Sequence, residues 1–450
     1  MRQHGKTIDY LHISPFRALC GIFLPLFLVN VVSVFSSAVS STIYSQYAGQ
    51  TYFTVTGYLN VAVTLYVNVI SSVYLAAWVK IAHQFALQDK DTLTGLIENA
   101  LLTMALACVG GSLLMMLLTQ PVLHIMSIPA SIYDDTRLYY ILYMASYLPV
   151  ALAAFFLTTV NGIGTAKRIL GVNILVIVTN LLAVWLMLDV LHMKFVGAAL
   201  CGALGALMQL VFYYLSFRRD GYFRAGARFR PNWQLVGSIL RYSVPIALQN
   251  ALCTLGYLLV TLQTNRLLTS DYITVLNVNL PLGGVLTAFG SAILAFCPQN
   301  FGAGRGDRIR RFFRLSLLCS LGYGLLCFLI YATLGSWYYG RLFTDAQIVA
   351  YGCDFWFWQG VGYIFLSVLY PVRYLFDSVG LSRLSMFSGV GELLGNALCA
   401  FWLIPRYGSI GRSLSYPAGW LFASTFLLIT FFLHRKQLFL VRPAHKDADI

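Results

Sequence analysis

The sequence predicts an all-α polytopic membrane protein, with twelve transmembrane helices in two six-helix halves that repeat in parallel. Three observations carry that expectation. Hydrophobic residues make up 59% of the 450-residue chain and charged residues 10%, with a mean hydropathy of +0.74, whereas soluble domains carry about a quarter charged residues. Apolar runs long enough to cross roughly 30 Å of hydrocarbon recur along the whole chain. The chain also repeats itself. Leu24-Pro25-Leu26-Phe27-Leu28-Val29-Asn30 returns as Val244-Pro245-Ile246-Ala247-Leu248-Gln249-Asn250. His83-Gln84-Phe85-Ala86 through Asp91 returns as Gln299-Asn300-Phe301-Gly302 through Asp307, and Asn180 through Trp185 as Asn396 through Trp402. The offset is 220 residues for the first pair (25 to 245) and 216 for the later ones (91 to 307, 180 to 396). An offset held nearly constant across three separated segments marks a duplication, and a duplicated apolar unit points to a transporter.

The first run, 17–43, has a basic flank, and Ser37-Ala38-Val39-Ser40 would pass for a signal cleavage site. Its repeat at 236–264 lies mid-chain, where a cleaved signal is impossible, so both read as permanent helices. Runs at 53–79, 96–118, 136–160, 169–190 and 195–217 complete the first half; 236–264, 272–297, 313–336, 351–375, 384–404 and 414–434 form the second. Six spans return the chain to its starting side, so the halves share one orientation about an axis along the membrane normal. Arg218 through Pro231 is basic and contains Gly and Pro. The domains therefore read as 1–220, a linker at 221–235, and 236–450.

Lys and Arg in short loops orient the chain. Arg2, Lys6 and Arg17 precede the first span, Lys80 and Lys90 follow the second, and Lys167 and Arg168 the fourth. The arginines of 218–230 follow the sixth, Arg305, Arg308, Arg310, Arg311 and Arg314 the eighth, and Arg435, Lys436, Arg442 and Lys446 close the chain. The opposite loops hold Arg137, Lys194, Arg266, Arg341, Arg406 and Arg412. Both termini are expected in the cytoplasm, in a bacterial-type inner (plasma) membrane. The net charge of +14 then follows from topology and from attraction to anionic headgroups, with no nucleic acid needed. The nine cysteines are odd in number and sit in or at the ends of apolar runs, so they read as small packing residues, with no disulfide framework and no metal site.

Chemistry at membrane depth narrows to a few residues. Most of the sixteen acids fall in loops or at helix ends, but Glu392 sits near the middle of 384–404, one turn before Asn396 and on its face. Desolvation favours the uncharged form of a buried carboxyl, which suits a group that exchanges a proton or a monovalent cation. A structural carboxyl between helices is the other reading, and the flanking Gly391 and Gly395 point to close packing. Asn180 is the first-half counterpart of Asn396. Arg373 and Asp377 are spaced to pair at i, i+4, and at the end of their span the arginine is expected to snorkel.

Pro25 and Pro245 occupy matching positions and free the carbonyls of Gly21 and Arg241. They read as hinges or as static bends. Polar residues cluster around them: Asn30, Ser33, Ser36, Ser37, Ser40, Ser41 and Thr42; Asn60, Thr64, Asn68 and Ser71; Gln249, Asn250, Thr254, Thr261 and Gln263. In lipid such groups need an interior or a water-filled cavity to face. Tyr66, Trp356, Trp358, Gln359 and Tyr363 are candidates to line a pocket for organic cations, or belong to interfacial aromatic belts.

Several segments resemble the multidrug and toxic compound extrusion (MATE) transporters, in order, over residues 15–435. They are the Pro-x-x-x-x-Asn helix openings; Ser41-Thr42-Ile43-Tyr44-Ser45-Gln46-Tyr47-Ala48-Gly49 in the place of the family's Asp-Thr-Ile-Phe-Val-Gly-Arg-Leu-Gly; Asn161-Gly162-Ile163-Gly164-Thr165-Ala166-Lys167; and Gly197-Ala198-Ala199. Pro298-Gln299-Asn300-Phe301-Gly302-Ala303-Gly304-Arg305, Gly389-Val390-Gly391-Glu392-Leu393-Leu394 and Tyr416-Pro417-Ala418-Gly419-Trp420 complete the set. The resemblance implies a MATE-like V-shaped pair of six-helix bundles, alternating access, and proton- or sodium-coupled antiport exporting amphipathic organic cations and drugs, by a monomer without cofactor. The chain departs from the family where many members carry an acid on the first helix: Ser41 stands there, Thr261 matches it in the second half, and the seventh-helix acid of one subgroup falls near Cys253. Coupling weight shifts to Glu392.

The Gly-rich Gly302–Asp307 segment follows no strand and is followed by no Walker lysine, so it reads as a connecting loop. A flippase for a lipid-linked oligosaccharide would share the architecture. A membrane-embedded enzyme would need clustered reactive side chains at depth, and the seven histidines all sit in tails or at run ends.

Overall fold

A computed structural model describes residues 10–86, 90–126, 128–163, 166–219, 231–277, 279–280 and 282–439. The linker segment 221–230 and the side chains of Asn30, Ser37 and Ser41 lie outside the described residues. The long helices are α1 (Pro15–Tyr47), α2 (Gly49–Ala86), α3 (Lys90–Leu117), α4 (Tyr133–Ile163), α5 (Ala166–Trp185), α6 (Lys194–Arg219) and α7 (Trp233–Leu267) in the first part of the chain. They continue as α8 (Gly284–Gly302), α9 (Gly306–Leu342), α10 (Ala346–Ser378), α11 (Ser382–Ser413) and α12 (Ser415–Phe439). Among the described residues, eleven helices are long and apolar enough to cross a membrane, and α1 adds a further 33 residues of helix. The chain is a multi-pass membrane protein.

Two differences from the sequence expectation have physical causes. The run 272–297 is not one helix: it is divided into Ser270–Asn277 and Gly284–Gly302, with Gly283-Gly284 at the start of the second piece. The run 384–404 extends to Ser413 because the helix absorbs a π turn at Cys399–Leu403 and a kink at Gly408 (φ +56°), a value glycine reaches without Cβ strain. A matching π turn, Leu186–Val190, follows α5, so the duplication extends to helix irregularities that no periodicity reveals.

The helices form two compact units whose limits do not coincide with the linker. The first is built from Leu24–Ala247, the second from Ile13–Phe23 and the chain from Leu248 on. Each of α1 and α7 is therefore divided between the units, next to Pro25 and close to Pro245.

The core of the first unit joins α2, α3, α4 and α6, with Ile239 of α7. Tyrosines recur every fourth residue along α4. Tyr139, Tyr143 and Tyr147 follow one another at 6.2 and 5.7 Å, and Tyr52 and Tyr66 join at 6.1 and 5.1 Å. Each such pair adds to ordinary burial. At the start of α7, Asn232 Oδ1 accepts from the amides of Gln234 and Leu235, satisfying N–H groups the helix cannot pair internally. Its own amide donates to Asn99 Oδ1 at 2.7 Å, fixing α7 against α3.

In the second unit, glycines let α11 meet α12 at backbone distance. A Cβ on Gly391 would lie 2.8 Å from the Phe422 carbonyl oxygen, and one on Gly395 2.6 Å from that of Ala418. Small residues permit such approaches where lipid supplies no hydrophobic drive. Asp345 caps α10, its Oδ1 accepting from the Gln347 amide at 2.7 Å. The Gly-rich segment after α8 is a short turn through Gly304 (φ +73°) into α9, in keeping with its reading as a connecting loop.

Candidate functional site

Three helices of the second unit each present every fourth residue to one buried point. Gln249, Cys253 and Tyr257 come from α7, Arg373 and Asp377 from α10, and Ser388, Glu392 and Asn396 from α11. Helical periodicity makes each set a single stripe. Glu392 is the centre, with 3% of its surface exposed. The Arg373 guanidinium donates to its Oε2 at 3.1 Å, the Cys253 thiol to the same oxygen at 3.0 Å, and the Tyr257 hydroxyl to Oε1 at 2.7 Å. Trp420 Nε1 in turn donates to the Tyr257 hydroxyl at 3.1 Å, and Arg373 Nε to Ser388 Oγ at 3.0 Å.

The snorkelling expected of Arg373 is corrected here. Arg373 is 8% exposed and turns inward to Glu392, an ion pair between α10 and α11. The i, i+4 spacing pointed to Asp377 alone, whereas the glutamate lies nineteen positions further along the chain and only tertiary packing brings it in. Once buried, a guanidinium needs a compensating carboxylate more than it gains from reaching headgroups.

Towards the C-terminal end of α10 the polar line continues. Ser385 Oγ donates to Asp377 Oδ1 at 2.5 Å, and Ser388 Oγ to the Ser385 carbonyl at 2.7 Å. Gln249 is buried between them. With its amide nitrogen turned to Ser385 Oγ (3.1 Å) and the Ser385 carbonyl (2.9 Å), its oxygen accepts from Arg373 Nε at 3.1 Å. That orientation is assigned from the hydrogen-bond pattern. The result is an uninterrupted polar line Asp377–Ser385–Gln249–Arg373–Glu392–Tyr257–Trp420 crossing four helices.

The remaining candidates distribute as follows. Asn396 is fully buried between Gly256 and Gly419, and neither atom of its amide finds a hydrogen-bond partner among the described residues. Asn180 belongs to the first unit, where its Oδ1 accepts from Gln209 Nε2 at 3.1 Å. Asn250 is half-buried and its carbonyl accepts from Thr254; Thr261 is exposed. The Asn68 carbonyl accepts from both Ser71 and Ser72. Trp356 is stacked between Tyr331 and Tyr338 at 4.5 and 4.6 Å, and Gln359 donates to the Tyr363 hydroxyl at 3.2 Å, so both are core groups of the second unit. Trp358 is half-buried, edge-on to Phe357. Tyr66 is buried and hydrogen-bonded to Ser112 at 2.6 Å. Arg412, read as a loop charge, is buried within α11 against the rings of Tyr416 and Phe355.

A cavity of about 360 Å³ lies inside the first unit, and it brings Ser40, read from the sequence as needing a cavity to face, together with Asn180 and with residues that no spacing related to them. Ser40 and Tyr44 of α1, Val150 and Leu157 of α4, Asn180 of α5, and Cys201 and Gln209 of α6 line it among others. Its described lining carries no charged side chain. Tyr44 is held by a 2.7 Å hydrogen bond to Cys201, and Gln209 by Thr179 and Asn180 at 3.0 and 3.1 Å. A volume of this order, mostly apolar with a few convergent polar groups, suits a small organic ligand. All nine cysteines are free thiols.

Residues 245–402 match the MatE family model. No curated protein matches the chain. Solved structures match over nearly all of it. An outward-facing multidrug resistance MATE family transporter of the MOP superfamily superposes with a TM-score of 0.84 at 14% identity, over 97% of this chain and 99% of that one. A MOP superfamily transporter from Pyrococcus furiosus, described as having a binding pocket of reversed polarity, gives 0.83 at 14% over the same shares. The Vibrio cholerae MATE transporter VcmN in its bent form gives 0.81 at 14%, over 94% and 98%.

Proposed function

We propose that this chain, which carries a MatE domain in its second half and the fold of MATE transporters throughout, is a secondary transporter that exchanges amphipathic organic compounds, cations among them, for protons. The observation that carries this reading is a cavity of about 360 Å³ among membrane-spanning helices of one unit, accompanied by a buried ionisable pair among those of the other. Intramembrane charges are costly and are retained mainly where they are used. The cavity would bind the apolar body of the ligand against Val150, Leu157 and Val184, with Tyr44, Asn180 and Gln209 orienting its polar end.

Protons suit the second unit better than sodium. A sodium ion needs several oxygen ligands, whereas the Glu392 carboxylate is surrounded by the donors Arg373, Cys253 and Tyr257. Alternating access would bend α1 and α7 at Pro25 and Pro245, which is supported by the division of both helices between the units near those prolines. Both termini would face the cytoplasm of a bacterial-type cell.

The test is uptake of ethidium into inverted vesicles under an imposed proton or sodium gradient. Wild type should accumulate the dye under the proton gradient, and Glu392→Gln should reduce accumulation at least about tenfold, the loss expected when one charge-assisted interaction of about 1.4 kcal/mol or more is removed from the coupling step. Normal transport by Glu392→Gln under both gradients would remove Glu392 from the mechanism. Asn180→Ala should leave coupling intact and raise the half-saturating ethidium concentration about three- to tenfold, the equivalent of one hydrogen bond. An unchanged value would place the ligand elsewhere. One observation favours a second reading, a flippase for a lipid-linked oligosaccharide: the uncharged lining of the cavity. Failure of purified protein to bind ethidium, together with a cell-envelope defect on deletion, would select it.

A further inference from the structure

On its polar side the cavity of the first unit presents two amides that are bonded to each other and not used up. Thr179 gives its one hydroxyl proton to the carbonyls of Leu175 and Val176, at 2.8 and 3.1 Å, so towards Gln209 it can only accept. Gln209 Nε2 donates to it at 3.0 Å and to Asn180 Oδ1 at 3.1 Å, which engages both N–H groups of that amide. Gln209 Oε1, an acceptor, and Asn180 Nδ2, a donor, are left without a hydrogen-bond partner among the described residues, although Gln209 is only 5% exposed and both residues line the cavity. Turning both amides together would exchange the two roles and still leave one donor and one acceptor free; turning either alone would set like against like. From this geometry we propose that the cavity selects uncharged amphipathic compounds carrying a carboxamide or lactam, whose carbonyl accepts from Asn180 Nδ2 and whose N–H donates to Gln209 Oε1. This rests on the reading of the cavity as the ligand site and names the substrate class it takes.

An ionised head group is disfavoured at the same place. The described lining carries no charged side chain, so an ammonium or a carboxylate would shed its water there without meeting an opposite charge. A carboxamide is neutral and supplies a donor and an acceptor from one group, while Val150, Leu157 and Val184 take the apolar body. Tyr44 and Cys201 are bonded to each other at 2.7 Å and leave the choice of head group to the amides. The duplication provides an internal comparison. Gly205 and Gly419 each stand against the repeated asparagine: a Cβ would lie 2.6 Å from Asn180 Oδ1 at the first and 3.1 Å from Asn396 Nδ2 at the second. Four residues further on, Gln209 in the first unit is matched by Ala423 in the second. Asn396 is accordingly fully buried with both amide atoms unpartnered among the described residues. Gln209 is thus the residue that turns the repeated asparagine into half of a recognition pair.

Three probes with one apolar body separate the possibilities. Purified full-length protein in lipid nanodiscs is titrated by calorimetry, against empty nanodiscs, with naphthaleneacetamide, with methyl naphthaleneacetate, which keeps the carbonyl and lacks the N–H, and with naphthylethylammonium. Wild type should bind the amide at least about tenfold tighter than the ester or the ammonium, because each of the latter leaves a buried group unpaired. Gln209→Met should bring the amide to within about twofold of the ester while ester binding stays as in wild type, which a misfolded protein would lose. Asn180→Ala should weaken amide and ester alike, by about three- to tenfold, since both lose the donor to their carbonyl. Equal binding of amide and ester by wild type, tighter binding of the ammonium, or an amide preference that survives Gln209→Met would each overturn the amide-reading site. Binding of none of the probes by a protein that transports ethidium would overturn the proposed substrate class and leave the transport reading standing. Loss of both would overturn the transport reading as well.

Discussion

Replacing Arg373 with methionine is expected to destabilise the protein by about 3–5 kcal/mol at neutral pH, because Glu392 then remains buried without its counter-charge. The geometry makes the effect specific. Arg373 Nε and its terminal nitrogen are committed to Ser388 and Glu392 at 3.0 and 3.1 Å, so one side chain joins α10 to α11. The double variant Arg373→Met with Glu392→Met should recover most of the loss, since a buried pair replaced by apolar groups of similar volume is close to neutral in stability. Thermal unfolding of detergent-purified single and double variants closes the cycle. Additive losses would mean that the two charges do not interact across the helices.

Gly395→Val should be at least as damaging. A Cβ at Gly395 meets the carbonyl oxygen of Ala418 at 2.6 Å and Gly419 Cα at 2.8 Å. These are backbone atoms of α12, which no rotamer change can clear, so α11 and α12 must separate. Overpacking typically costs about 1–3 kcal/mol for added methylenes, which sets the scale for Gly395→Ala, with valine beyond it. Gly237→Ala is the control, since nothing lies within 4 Å of a Cβ there. In that helical position it should leave stability unchanged or raise it by about 0.5–1 kcal/mol. A Gly395→Ala protein unfolding at the wild-type temperature would show that the two helices are not in backbone contact.

What could be read from the sequence divides along a physical line. Membrane embedding, helix number and duplication depend on composition and period, which survive without knowledge of packing. Glu392 stood out because its depth in an apolar run is itself a sequence property, and Gly391 and Gly395 pointed to close helix approach for the same reason. The break before Gly284 was also written in the chain, as Asn277 and Gly283-Gly284, but the surrounding hydrophobicity outweighed it. The partners of Glu392 were not readable. Arg373, Cys253 and Tyr257 come from helices whose rotation about their axes is set by tertiary contacts, and local spacing offered Arg373 a nearer acid. The lining of the first unit's cavity was only partly readable for a similar reason: Ser40, Asn180 and Gln209 lie on three helices, and no interval in the chain relates them.

The partition of α1 between the two units bears on biogenesis. Ile13–Phe23 emerges from the ribosome first, yet its own unit is built from chain synthesised after Leu248, more than about 200 residues later. Leu24–Ala247 must be inserted and closed while that leading segment still lacks its neighbours. Contacts so distant in sequence are slow to form, and unassembled intermediates of long chains are where misfolding begins. Quality control by the insertion machinery and its proteases should therefore act most strongly on nascent chains in which Phe23 has not yet found Phe289, its stacking partner at 4.3 Å in the finished protein.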